Sequence, residues 1–178
     1  EPEKPYVITL DFPEIAQYKN NIISVEELSF SYGDNVIFDK INFGLDMDSR
    51  VTLIGKNGVG KSTLLKLIMG ELEPDKGTVM KQNGLRIGYY HQHFEHFLPK
   101  DKTPIEYLEE AVPEDMINGN KMQTVRKYLG TVKLESDAHK SLIGNLSGGQ
   151  KARVALIGLI FQKPHFILFD EPTNHLDI

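Results

Sequence analysis

The sequence predicts an α/β fold, and three observations carry that prediction. GKNGVGKS, Gly55 to Ser62, sits between an apolar strand-like run and a helix-like one. Short alternating runs on both sides of it have the period of strands. From about Phe97 to Phe161 the texture becomes helical, and then an apolar run, HFILFD, closes on Asp170.

Taken in order, residues 1–20 mix proline, charge and scattered aromatics, and read as a linker or N-terminal extension laid over a domain that occupies 21–178. IISVEELSFSY alternates around Leu28, Phe30 and Tyr32, and INFGLD around Ile41, Phe43 and Leu45. Gly33-Asp34-Asn35 between them is turn chemistry, so an antiparallel pair is expected. RVTLI, Arg50 to Ile54, reads as a short strand and KSTLLKLIMG as a buried helix. GTVMK and LRIGYYH are two further strands after the turn Pro74 to Gly77. Thr103, Pro104 and Glu106 supply an N-cap, a proline at the first helical position and a glutamate at the third, opening IEYLEEAV. NKMQTVRKYLG follows, with Gly130 expected at its C-cap. A last helix starts at LSGGQ and runs through VALIGLIF until Lys163-Pro164 stops it. An inserted helical subdomain over 97–161 is the expected organisation.

Composition narrows the classes. A chain of 178 residues can bury one substantial core. Its net charge of −5 argues against a domain wrapped broadly in nucleic acid. The absence of cysteine removes disulfides and thiolate metal sites, and suits a reducing compartment. No apolar run approaches the roughly 18 residues of a membrane span. With no initiator Met and no secretory leader at Glu1, the sequence is expected to be an internal piece of a longer polypeptide.

The chemistry concentrates at three places. In GKNGVGKS the glycines let backbone N–H groups turn toward phosphate oxygens; Lys61 would reach the β- and γ-phosphates, and Ser62 would take a Mg²⁺ position. HFILFDE ends a strand in two carboxylates, placing Asp170 to hold Mg²⁺ and Glu171 to polarise an attacking water. LSGGQ sets Ser147, Gly148, Gly149 and Gln150 at a helix start, a second N-terminus suited to an anion. Gln92, delivered by the strand LRIGYYH, would touch the metal and the lytic water. Tyr32 would stack on adenine or serve only as a strand-face aromatic. His91, His93 and His96 form a cluster without a common face or an acidic partner, so a transition-metal site is disfavoured. Lys121, Arg126 and Lys127 make a modest basic face and receive no partner.

These stretches, in this order and spacing, resemble the ATP-binding cassette (ABC) domains over residues from about Ile22 to the end. EPTNHLD, Glu171 to Asp177, is similar to class F of that superfamily (ABC-F), soluble paired cassettes tied mostly to ribosomes and translation. IGYYHQH and LDFPE resemble the second cassette of eukaryotic-type members, and the stretch from Gly77 to Gln92 is too short for a long helical arm. The resemblance implies a P-loop NTPase with a RecA-like core, an antiparallel β subdomain and the helical insertion. It implies ATP bound by Tyr32 and by Gly55, Lys56, Asn57, Gly58, Val59, Gly60, Lys61, Ser62 and Thr63. Mg²⁺ would lie on Ser62, Gln92 and Asp170, with Glu171, Lys61 and Gln92 catalytic. It also explains two phosphate-facing helix starts in one domain: Ser147 to Gln150 would face the nucleotide of a second cassette, next to the D-loop residues Asn174, His175, Leu176 and Asp177.

The function so implied is a cytoplasmic ATPase whose closing cassettes act on the ribosome, with rRNA among its partners and no membrane. A transporter subunit sharing every catalytic motif and a non-hydrolysing ATP-dependent scaffold are the alternatives. The family's later strand and γ-phosphate histidine would fall past Ile178, so the C-terminal part of the core is expected to be missing. The isolated chain is accordingly expected to hydrolyse ATP feebly.

Overall fold

A computed structural model describes residues 10–91 and 93–170. The chain divides into two compact units, Ala16–Ile87 and the described parts of Glu1–Ile15 with Gly88–Ile178.

In the first unit, β1 (Ile23–Tyr32) and β2 (Asn35–Leu45) form the expected antiparallel hairpin, with Tyr32 paired to Asn35 across the turn. β3 (Lys76–Lys81) pairs antiparallel with the other side of β1, giving the order β2-β1-β3. The alternation of apolar residues becomes a buried face: Ile23, Val25, Leu28 and Phe30 on β1 are all in the core. A bulge interrupts the ladder at Glu27, whose φ is 50°. Asn42 fills the gap, its Oδ1 accepting from the Glu27 N–H at 2.8 Å. α1 (Lys61–Met69) buries Leu64, Leu65, Leu67 and Ile68, and ends at Gly70.

The strand expected at Arg50 to Ile54 is not formed. That segment carries no regular structure, with Val51 63% and Ile54 92% exposed. Apolar residues suit a strand but do not make one; it exists through ladder partners and covered faces. No described strand pairs with this stretch.

The second unit contains β4 (Ile87–Tyr90), apart from its first residue, hydrogen-bonded beside β5 (Phe166–Phe169), with α2 (Pro104–Ala111), α3 (Lys121–Thr131) and α4 (Gly148–Phe161). α2 opens with the full capping box: Glu106 N–H donates to Thr103 Oγ1 at 3.2 Å, and Thr103 N–H to Glu106 Oε2 at 2.8 Å. α3 starts at the Asn120 cap, whose Oδ1 accepts from Gln123 N–H at 2.9 Å. Its end differs from expectation, because Gly130 lies inside the helix and Val132 is the C-cap. The left-handed residue is Lys133, φ 53°, which lets Leu134 N–H return to Leu129 carbonyl at 3.0 Å. Buried Leu129, Val132 and Leu134 hold the chain to that later exit, outweighing glycine's preference for the cap. α4 is apolar nearly all round, as a helix at the centre of a core must be. It packs with Leu108, Val125, Leu129 and Ile143 in one cluster, against which Leu10 also lies.

Candidate functional site

The phosphate loop lies in the first unit. Gly58 and Gly60 take φ of 81° and 107°, and Gly60 is the N-cap of α1. A Cβ on Gly60 would fall 2.4 Å from Ile37 Cγ2 and 3.1 Å from Phe38 Cζ, so the loop's end is seated on β2. The first intrahelical bond is Leu64 N–H to Gly60 carbonyl at 2.9 Å. The N–H groups of Lys61, Ser62 and Thr63 therefore have no acceptor within the helix. No side chain caps this end and no acid occupies the first turn. Lys61 folds back over the loop, its Nζ donating to Gly55 carbonyl at 2.8 Å and Lys56 carbonyl at 3.0 Å. A helix start with these N–H groups and an ammonium beside it is suited to a polyanion. Tyr32, at the end of the hairpin, is 50% exposed and rests edge-on against Phe30 at 4.9 Å.

In the second unit, Asp170 follows directly on β5. Its N–H donates to Tyr90 carbonyl at 3.0 Å, and its Oδ2 accepts from the Tyr89 hydroxyl at 3.2 Å. LSGGQ opens α4. Gln150 N–H donates to Ser147 Oγ at 3.3 Å and Ser147 N–H to Gln150 Oε1 at 2.9 Å, a reciprocal capping box. Gln92, Glu171, Asn174, His175, Leu176 and Asp177 lie outside the described residues.

The three histidines sit among aromatic rings. His91 lies 3.9 Å from Tyr89 and stacks on Phe97 at 4.6 Å, while His93 and His96 stack on each other at 5.8 Å. Among the described residues no group of three His, Cys, Asp or Glu could hold a metal ion, and no helix is long and apolar enough to cross a membrane.

Two neighbours of these motifs escaped the sequence reading. Glu95 pairs with Lys151 at 3.6 Å and lies against Gly148, a carboxylate beside the start of α4 where the helix field favours it. Tyr89 reaches Asp170 across 81 positions of sequence. The alternation of Tyr89 and Tyr90 along β4 was the available signal for the latter; nothing local marked the former.

A glycine-rich loop of this kind ending on a helix start without a side-chain cap is the mark of a P-loop nucleotide-binding fold, and solved ATP-binding cassettes share the architecture. The dimeric post-hydrolysis cassette MJ0796 bound to ADP and Pi matches with a TM-score of 0.69 at 26% identity, covering 87% of this chain and 76% of that one. CbiO1 of Clostridium perfringens, part of the ABC transporter complex cbiONQ, matches at 0.68 and 26%, covering 89% and 68%. The sequence pattern of the family described as ABC transporter matches residues 38–174. ABC transporter F family member 4 of Arabidopsis thaliana is 42% identical over 184 residues, covering 99% of this chain and 25% of that protein. ATP-binding cassette sub-family F member 2 of Bos taurus is 43% identical over 169 residues, covering 94% and 26%. The chain belongs to the ATP-binding cassette family, within its F class. It spans about a quarter of the length of these relatives.

Proposed function

We propose that the chain binds and hydrolyses ATP as one cassette of a pair whose closure acts on the ribosome or the translation machinery. One observation carries the reading: the helix start at Lys61 has no side-chain cap and no acid in its first turn, and the Lys61 ammonium lies over the loop that leads into it. Gly55 to Thr63 take the phosphates, Lys61 the β and γ groups, and exposed Tyr32 the adenine. The metal assigned to Ser62, Gln92 and Asp170 is Mg²⁺, and a hydroxyl, an amide oxygen and a carboxylate are the hard donors that cation takes. Once bound, it neutralises charge that develops between the β- and γ-phosphates.

Glu171 orients the lytic water and draws its proton as the water oxygen attacks the γ-phosphorus. The bond from that phosphorus to the bridging oxygen breaks, and ADP carries the electrons away. Ser147 to Gln150 complete the site of the opposite cassette. The Ser147 oxygen serves its own helix by accepting, so its O–H remains to donate to a phosphate across the interface. Residues 97–161 act as the helical subdomain that carries this surface, residues 1–20 approach the domain as a linker, and Asn174 to Asp177 border the partner. A nucleotide shared in this way closes the pair as ATP and releases it as ADP. The dimeric form of the solved relative supports pairing, and EPTNHLD with the class F relatives supports the translation role.

The test uses the intact protein. Lys61→Ala is expected to lose ATP binding, and Glu171→Gln to trap ATP with the cassettes closed and hold the protein on ribosomes. ATP binding that is indifferent to Lys61→Ala would contradict the reading. A wild type that binds ATP without turnover, with Glu171→Gln changing neither ATP retention nor cassette closure, would favour a scaffold in which ATP only orders an interface. The similarity to a transporter cassette favours one second reading, a subunit that energises a membrane complex. Co-fractionation with membranes instead of ribosomes would establish it.

A further inference from the structure

We propose that Tyr89 is a positioning residue for the cation-binding carboxylate. It would set the orientation of Asp170 through its hydroxyl, an inference that rests on the ATPase reading above. β4 places Tyr89 and Tyr90 on opposite faces, as successive strand residues must be. Tyr90 is a core residue: it is buried, lies 4.9 Å from Phe94 and 5.8 Å from Phe169, and its hydroxyl meets no partner among the described residues. Tyr89 instead puts its hydroxyl on Asp170 Oδ2 at 3.2 Å. The main chain of Asp170 is tied to the same strand by its bond to the Tyr90 carbonyl. Backbone and side chain of this one residue are thus both referenced to β4.

The Tyr89 ring is itself braced. His91 lies tilted against it at 3.9 Å and stacks in turn on Phe97 at 4.6 Å. A phenylalanine at position 89 would keep that stack and lose the donor. The choice of donor matters chemically. A phenol is neutral at physiological pH, so it fixes the rotation of the carboxylate without cancelling the charge that attracts a cation. The phenol engages Oδ2, which sets the plane in which the carboxylate is presented. Carboxylates that hold metals are commonly oriented in this way, and losing such a partner weakens metal binding by about 10–100-fold.

The experiment is a Mg²⁺ titration of ATP binding by the intact protein, with thermal unfolding of each variant recorded alongside. Tyr89→Phe is expected to raise the half-saturating Mg²⁺ by roughly tenfold. Its affinity for ATP in the presence of a chelator should equal that of the wild type. Tyr90→Phe, which removes a hydroxyl from the other face of the same strand, should change neither quantity. In an Asp170→Asn background, Tyr89→Phe should add nothing, because the proposed effect runs through that carboxylate. A Mg²⁺ dependence unchanged in Tyr89→Phe overturns the proposal. So does a full additional loss on top of Asp170→Asn, or an equal loss of affinity with the metal chelated. If the wild type binds no ATP, or Lys61→Ala binds it as well, the functional reading fails and takes this inference with it. If those controls behave and only the Mg²⁺ dependence stays put, Tyr89 alone is misassigned.

Discussion

Gly60→Ala tests how tightly the phosphate loop is built. The backbone there has φ 107°, and a side chain at such an angle costs about 1–3 kcal/mol. The added methyl would also lie 2.4 Å from Ile37 Cγ2 and 3.1 Å from Phe38 Cζ. Overpacking of that kind costs a further ~1–3 kcal/mol. The sum is a loss of about 2–6 kcal/mol, reduced by up to about 1 kcal/mol because alanine also restricts the unfolded chain. Gly58→Ala is the matched control. Its φ of 81° carries the same kind of backbone strain, but nothing among the described residues lies within 4 Å of the new methyl. The difference between the two variants therefore isolates the clash, at ~1–3 kcal/mol. Ile37→Ala removes the closest atom, so combining it with Gly60→Ala should recover about 1 kcal/mol or more relative to additivity. Urea unfolding followed by circular dichroism suits a chain without tryptophan. If Gly60→Ala were no worse than Gly58→Ala, or if Ile37→Ala gave no relief, the loop would not be seated on β2 as described.

Two further outcomes are expected. Ser147→Ala should destabilise α4 by about 1 kcal/mol through loss of the capping box. Ser147→Asp should restore that cap while repelling a phosphate, so unfolding recovers and ATP-driven cassette pairing does not. The Glu106 carboxyl is held below its ordinary 4.5, first by the Thr103 N–H and then by the Thr103 hydroxyl. Its contribution is therefore complete above pH 4.5 and is lost as pH falls through the lower folded value. An unfolding series across that acid window should show the loss, and Glu106→Gln, which keeps an acceptor, should flatten it.

Much of this molecule was legible because the informative residues act locally. Thr103, Pro104 and Glu106 specify a helix start within four positions, and Ser147 with Gln150 does the same for α4. The β1–β2 hairpin followed from alternation plus a turn, and the end of β5 at Asp170 followed from an apolar run meeting a carboxylate. Where several distant elements decide the outcome, the reading failed. Arg50 to Ile54 has the composition of a strand, but pairing is a property of neighbours, and no described strand supplies it. Gly130 carries the local preference for a helix end, yet the packing of Leu129, Val132 and Leu134 set the exit three residues later, at Lys133. The bond from Tyr89 to Asp170 joins residues far apart in sequence and became visible only once β4 and β5 lay side by side.

Lys61 has consequences of its own. An ammonium carries three protons to give, and two are already spent on the carbonyls of Gly55 and Lys56. The residue thus works as a staple for its own loop while keeping one donor in hand for a guest. Removing it would both take a hand from the ligand and let the cradle sag before any ligand arrives. The deficit of an alanine variant at this position is therefore a composite, part recognition and part upholstery. Only a measurement on the empty loop can tell the two shares apart.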